Sequence, residues 1–134
     1  RQLGLHPFSV YLPYGIEVYQ RSVGPGLSMH GGSELYFAIP PRAKRVNFVH
    51  GINPDILNFK DFDGLGVQLE LVNAEGENTV IHQEWVSPHT KTTDWRSSAV
   101  IPPTTATVLL YRITSGPRDQ AAYDQAWLHS LNFE

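Results

Sequence analysis

Hydrophobic and polar residues alternate with a period of two along much of the chain. Leu35, Phe37 and Ile39 alternate with Glu34, Tyr36 and Ala38, and Val46 and Phe48 alternate with Arg45 and Asn47. The clearest run is Val67-Gln68-Leu69-Glu70-Leu71, with three apolar side chains to one side and two polar ones to the other. A strand with one buried face requires this pattern, because successive side chains point to opposite faces of a sheet. Further strands are predicted over residues 79–85, 95–101 and 106–113, with two short ones at 8–11 and 16–19 separated by Pro13 and Gly15. Asp63-Gly64, Glu75-Gly76 and Ser115-Gly116-Pro117 mark turns. Short strands at roughly 8–12-residue spacing predict an all-β protein, a two-sheet antiparallel β-sandwich of jelly-roll type.

Two stretches echo each other. Ile39-Pro40-Pro41 precedes Val46-Asn47-Phe48, and Ile101-Pro102-Pro103 precedes Val108-Leu109-Leu110. Proline cannot donate to a ladder, so each pair should end a strand and send the chain across to the other sheet. The C-terminal segment fits two patterns. Ala122, Tyr123, Ala126, Trp127 and Leu131 fall at helical spacing over 119–131, whereas Trp127, His129, Leu131 and Phe133 alternate with Leu128, Ser130 and Asn132. A closing strand is the expectation, since the edge of a sandwich of this size needs pairing.

Composition strengthens the β reading. Only 17% of residues are charged, Lys occurs three times, and 11 Gly and 10 Pro cut the chain into short segments. A length of 134 residues suits a single domain over 1–134 with an ordinary core. The absence of Cys removes disulfides, thiolate metal sites and a Cys nucleophile. A net charge of −3 argues against a nucleic-acid partner, and Arg42, Lys44 and Arg45, the one basic cluster, lack interleaved stacking rings. No apolar run approaches the roughly 20 residues that cross a bilayer, so membrane insertion by this chain is not expected. The chain starts at Arg1 without a signal-peptide pattern and reads as a piece excised from a larger protein. An extracytoplasmic setting, periplasmic or at the cell surface, is the expected location.

Few residues suggest chemistry. Gly26-Leu27-Ser28-Met29-His30 lacks the Gly two residues after Ser and the strand-turn-helix context of a nucleophile elbow. His82 and Glu84 share one strand face near His89, but a third clear ligand for a transition metal is missing. Asp61-Phe62-Asp63-Gly64 opens like a calcium loop without the later carboxylates. No cofactor is expected, and a structural calcium held by backbone carbonyls is left open. Asp55, Asp61, Asp63, Glu84 and Asp94 show no spacing that singles out a glycosidase pair, so the chain is not expected to be an enzyme. What remains is an aromatic and amide-rich surface. Trp85, Trp95, Tyr111 and Trp127 fall near strand ends beside Gln83, Asp94, Arg96 and Arg112. Flat rings with polar tips suit the C–H face of a sugar, and neighbouring charges and amides can read its hydroxyls. Rings can equally serve as core, Trp127 above all, and Tyr111 shares the parity of Leu109 and Ile113.

A family resemblance adds to this. Gly26-Leu27-Ser28-Met29-His30-Gly31-Gly32-Ser33, followed by an apolar strand over 34–39, resembles the G-x-x-x-H-x-x-S opening of the NPCBM family of carbohydrate-binding modules. Phe48-Val49-His50-Gly51-Ile52 is similar to that family's next strand, and Asp63-Gly64 before Val67-Gln68-Leu69 to its D-G…V-x-F strand. Residues 106–110 resemble its apolar strand before the last loop, and Asp124-Gln125-Ala126-Trp127 its closing D-x-A-x-W, one residue short. Leu69 replaces the usual aromatic, and Ala74-Glu75-Gly76-Glu77 replaces a Gly-Lys hairpin. The resemblance covers about residues 20–133. It implies a galactose-binding-like jelly roll and carries two positions into the site, His30 and Ser33, either of which could also serve the turn. The expectation is a non-catalytic carbohydrate-binding module with His30, Ser33, Trp85, Asp94, Trp95, Arg96 and Arg112 as binding residues. The alternative is a structural or protein-interaction accessory domain of an extracytoplasmic or membrane-embedded glycan-processing enzyme, with the parent enzyme's domains as partners.

Overall fold

The computed structural model describes residues 4–117 and 125–134. Among them ten strands form two five-stranded antiparallel sheets. Sheet I has the order β1 (Ser9–Tyr11), β4 (Glu34–Ala38), β9 (Val108–Ser115), β6 (Leu65–Val72), β7 (Asn78–Val86). Sheet II has the order β2 (Val18–Arg21), β3 (Gly24–Met29), β10 (Ala126–Phe133), β5 (Arg45–Ile52), β8 (Asp94–Val100). The two sheets pack face to face as the alternation requires. Leu35, Phe37, Val67, Leu69, Leu71, Leu109, Tyr111 and Ile113 of sheet I meet Leu27, Met29, Val46, Phe48, Ile52, Ala99 and Leu128 of sheet II in one buried core. Outside the strands, a short 3-10 turn, Pro54–Asn58, buries Ile56 and is capped by Asn53, whose side chain accepts from the Asp55 amide. Among the described residues no helix is long and apolar enough to cross a membrane.

Both di-proline corners carry the chain between sheets. The first joins β4 of sheet I to β5 of sheet II, and the second joins β8 of sheet II to β9 of sheet I. The backbone bonds Ile39 N–H to Thr107 O and Ile101 N–H to Lys44 O tie the two crossings together at one end of the sandwich.

Two features depart from the sequence pattern. The glycine-rich stretch Gly24–Met29, which shows no alternation and is absent from the predicted strands, is strand β3, buried along its whole length. It shows no alternation because both of its faces are covered: Leu27 and Met29 face the core, while the other face lies under β10 side chains. Gly26 is required there, since a Cβ at that position would sit 2.7 Å from His129 Cε1. The second departure is in β10. The C-terminal segment is a strand from Ala126, but a bulge between Leu128 and Ser130 shifts the register against β5. Leu128 and Leu131 are therefore both in the core, and the uniform parity of Trp127, His129, Leu131 and Phe133 is broken. The helical alternative over 119–131 and Asp124 of the closing motif involve positions outside the described residues.

At the margin where β7 and β8 face each other, the core turns polar. Glu84 accepts from His82 Nε2 at 2.7 Å, from His50 Nε2 at 3.2 Å and from the Ser97 hydroxyl at 2.9 Å. His50 is buried, and its ring stacks on Trp95 at 5.4 Å. Burial alone would raise the Glu84 carboxyl, but the hydrogen bonds from His50, His82 and Ser97 outweigh it and hold the pKa down to about 2. The cluster joins β7 of sheet I to β5 and β8 of sheet II.

Two stability measurements check this architecture. Phe48→Ala removes a ring that is 1% exposed and should cost about 3–5 kcal/mol in urea unfolding; a change below about 1 kcal/mol would contradict the packing. A depressed folded-state pKa means that the contribution of Glu84 is complete above its ordinary value of 4.5 and fades as pH falls toward 2. Glu84→Gln should lower stability at neutral pH and flatten the acid limb between those limits. An unchanged acid limb would exclude the cluster as the cause.

Candidate functional site

Strand register organises the outer face of sheet I into rows. Glu34, Arg112, Gln68 and Gln83 lie side by side across β4, β9, β6 and β7, and the neighbouring row is Thr114, Gly66 and Trp85. Trp85 is 56% exposed. Its ring lies over Gly64, where a Cβ would come within 2.3 Å of the indole and where φ is +102°. Only glycine fits both the contact and the backbone there. Beside the ring is a hollow of about 290 Å³ lined by Gly66, Gln68, Gln83 and Thr114. Gly66 keeps it open, since a Cβ there would meet Thr114 Oγ1 at 2.3 Å.

A hydrogen-bonded network fixes the polar row. The guanidinium of Arg112 donates from Nε to Glu70 at 2.7 Å and from Nη1 to Glu34. Gln68 donates to Glu70 at 3.0 Å, Gln83 donates to Gln68 at 2.7 Å, and Asn78 donates to the other Glu70 oxygen at 2.8 Å. Burial would raise the Glu70 carboxyl, but the bonds from Arg112, Asn78 and Gln68 hold it below its usual value. Partial burial would lower the Arg112 pKa, and its pairing with Glu70 and Glu34 raises it instead. Tyr36 donates to Glu34 at 3.0 Å, and its phenol is raised by burial and then by that bond. The result is a flat, preorganised polar surface that ends at an exposed indole.

The remaining predicted positions lie elsewhere. Asp94, Trp95 and Arg96 are consecutive on β8, so the chain alternation splits them. Asp94 and Arg96 lie on the outer face of sheet II, where Asp94 pairs with Arg21 at 3.3 Å. Trp95 faces inward onto His50 at the sandwich margin. His30 and Ser33 sit in the β3–β4 loop. The His30 ring lies 4.6 Å from that of Tyr14, while Ser33 is buried and its carbonyl accepts from Ile113 N–H. The structure therefore brings Trp85 and Arg112 onto one face, Asp94 and Arg96 onto the opposite one, and neither Trp95 nor Ser33 onto an open surface. Trp127 is buried, but not between the sheets: it lies on the outer side of sheet II with the Arg21 guanidinium 4.5 Å over its ring.

Gln68, Gly66 and Thr114 were not singled out from the sequence. Alternation marks Gln68 only as an outward strand position; its partners on β7 and β9 are distant in the chain, so only the register reveals the row. The Asp63-Gly64 pair marks a turn, and the second role of Gly64, as a seat for the indole, depends on a contact across 21 residues.

His82 and Glu84 share a face as their spacing requires, but they bind one another and His50. Among the described residues no group of three or more His, Cys, Asp or Glu is arranged to hold a metal. Ser97, His50 and Glu84 are adjacent, yet Ser97 and Glu84 meet the same His50 nitrogen, and the Ser97 hydroxyl donates to the carboxylate. A nucleophile relay needs the acid on the other ring nitrogen.

No protein-family model matches the sequence, and no curated protein matches it significantly. Solved structures do resemble it. The CBM51-2 domain of Clostridium perfringens ZmpB, solved with GlcNAc and the INT domains, superposes with a TM-score of 0.67 and 13% identity over 96% of this chain. This chain spans only 30% of the length of that one. The CBM51 of the C. perfringens GH95 protein, in complex with methyl-galactose, gives a TM-score of 0.64 and 13% identity, covering 97% of this chain and 95% of that one. CsCBM6-3 of Clostridium stercorarium, in complex with cellobiose, gives 0.57 and 13%, covering 96% and 87%. The chain has the galactose-binding-like, jelly-roll β-sandwich fold of these carbohydrate-binding modules.

Proposed function

We propose that the chain is a non-catalytic carbohydrate-binding module that holds a neutral pyranoside on the outer face of sheet I. The observation that carries this reading is the exposed Trp85 ring, seated on Gly64 and bordered by a hollow with amide walls. The indole offers its free face to the C–H face of a sugar. Gln68, Gln83 and Thr114 are in place to exchange hydrogen bonds with its hydroxyls. Arg112 is committed to Glu34 and Glu70 and acts by positioning Gln68 through Glu70. His30 and Ser33 shape the β3–β4 loop. The solved neighbours, with their GlcNAc, methyl-galactose and cellobiose complexes, favour ligands of this class. Such a module would serve an extracytoplasmic parent enzyme by holding it on a glycan.

A shallow hollow buries little of a ligand, so affinity for one sugar should be in the millimolar range, about −4 kcal/mol. Titration with methyl-galactose, GlcNAc and cellobiose should change Trp fluorescence. Trp85→Ala should weaken binding at least 10-fold while leaving the unfolding midpoint almost unchanged. No response to any of the three at tens of millimolar would defeat the reading.

A second reading, an accessory domain docked on neighbouring protein, is favoured by one observation. Among the described residues, eight of the twelve exposed large hydrophobics lie between Phe8 and Val23, along the β1–β2 margin of the sandwich. Hydrogen exchange on this chain alone and within a longer protein that carries it would then show added protection over 8–23 in the longer form. Equal exchange would remove this reading.

A further inference from the structure

We propose that the outer face of sheet II carries a second site, which takes an acidic sugar with its carboxylate on Arg96. Two adjoining hollows of about 270 and 370 Å³ share Val49, Arg96 and Ser130. Register explains why they meet. Arg96, Val49 and Ser130 form one row across β8, β5 and β10, and Ser98, Asn47 and Asn132 form the next. Val49 supplies a small apolar floor between a guanidinium and a hydroxyl. Asn47 and Asn132 add amides that both donate and accept, which suits sugar hydroxyls.

Charge points to the class of ligand. Arg21, Arg45 and Arg112 each stand beside a carboxylate, at Asp94, Glu134 and the Glu34–Glu70 pair. Arg96 is exposed, and its side chain has neither an ion pair nor a hydrogen bond among the described residues. No Asp or Glu lines either hollow. An uncompensated cation in a groove of neutral polar groups is a receptor for one negative charge. A planar guanidinium matches a carboxylate through two parallel hydrogen bonds. A phosphate polymer would need several such cations, and a chain of net charge −3 repels it. His129 closes one end of the groove. It is 5% exposed, walls the smaller hollow, and donates from Nδ1 to Pro25 O at 3.1 Å. Its Nε2 is turned toward Asp94 Oδ1 at 3.7 Å, so the one carboxylate near the groove lies behind the His129 wall and already faces Arg21 and His129.

This site extends glycan binding to a face that Trp85 does not touch, so the two readings are tested by different variants. The experiment is an NMR titration of the labelled chain with glucuronic acid and galacturonic acid. Galactose, galactose 6-sulfate and acetate serve as comparison ligands. Both uronic acids should shift the amides of residues 47–49, 96–98 and 130–132. Arg96→Gln, an exposed position that the fold does not need, should weaken them at least 10-fold, whereas Trp85→Ala should leave them unchanged. Raising NaCl from about 50 to about 500 mM should weaken them several-fold. Uronic acids that shift nothing at these strands, or that bind the Arg96 variant equally well, overturn the proposal. Equal binding of acetate would reduce the site to a plain anion site, and equal binding of galactose 6-sulfate would overturn the assignment to a carboxylate. If galactose fails at Trp85 while the uronic acids bind at Arg96, the sheet I reading falls and this one stands.

Discussion

Phe48 of sheet II meets Tyr111 of sheet I edge to face at 5.7 Å, and both rings are almost wholly buried. Packing between the two inner faces commits alternate residues of the strands β4, β5, β6 and β9 to the core. The other half of each strand is thereby left outside. Both surfaces considered for ligands exist because the inner positions are occupied, and a one-residue slip in any strand would exchange core for surface. Tyr111 shows how firm the commitment is: burial pushes its phenol well above the usual range, which keeps it neutral inside the sandwich.

The carboxylate that enters this interior is matched. Glu84 is held by two imidazoles and a hydroxyl, and the cluster fills the gap where β7 and β8, strands of different sheets, come together. A carboxylate there is tolerable only with several donors, since burying one unpaired is costly. The same residues that resemble a metal or hydrolase constellation in a list thus act together as a structural clamp.

The two outer faces differ in chemistry although they share a construction. On sheet I the charges cancel within a network, leaving amides and an exposed ring. On sheet II an arginine is left without a counter-charge between amides and hydroxyls, and the large ring, Trp127, is covered by Arg21. A surface with balanced charge and a ring favours a neutral sugar, and one with a free guanidinium favours an acidic one. A small rigid sandwich can present both because its two outer sides are built from separate sets of strands.

The sequence by itself determined most of the strands, the inward faces of β4, β5 and β6 and the two proline corners, because these follow from period-two alternation and from the missing N–H of proline, both local properties. It determined that His82 and Glu84 share a face for the same reason. It did not reveal β3, whose residues are covered on both sides, nor the bulge at His129, which depends on how β10 meets β5. Nor could it separate Trp85 from Trp95, since both sit on edge strands beside polar residues. Only the packing of the two sheets decided that one ring rests on Gly64 in the open and the other on His50 at the margin. Which residues form a site depends on register between strands distant in the chain, and that register is set by the shared core rather than by any segment alone.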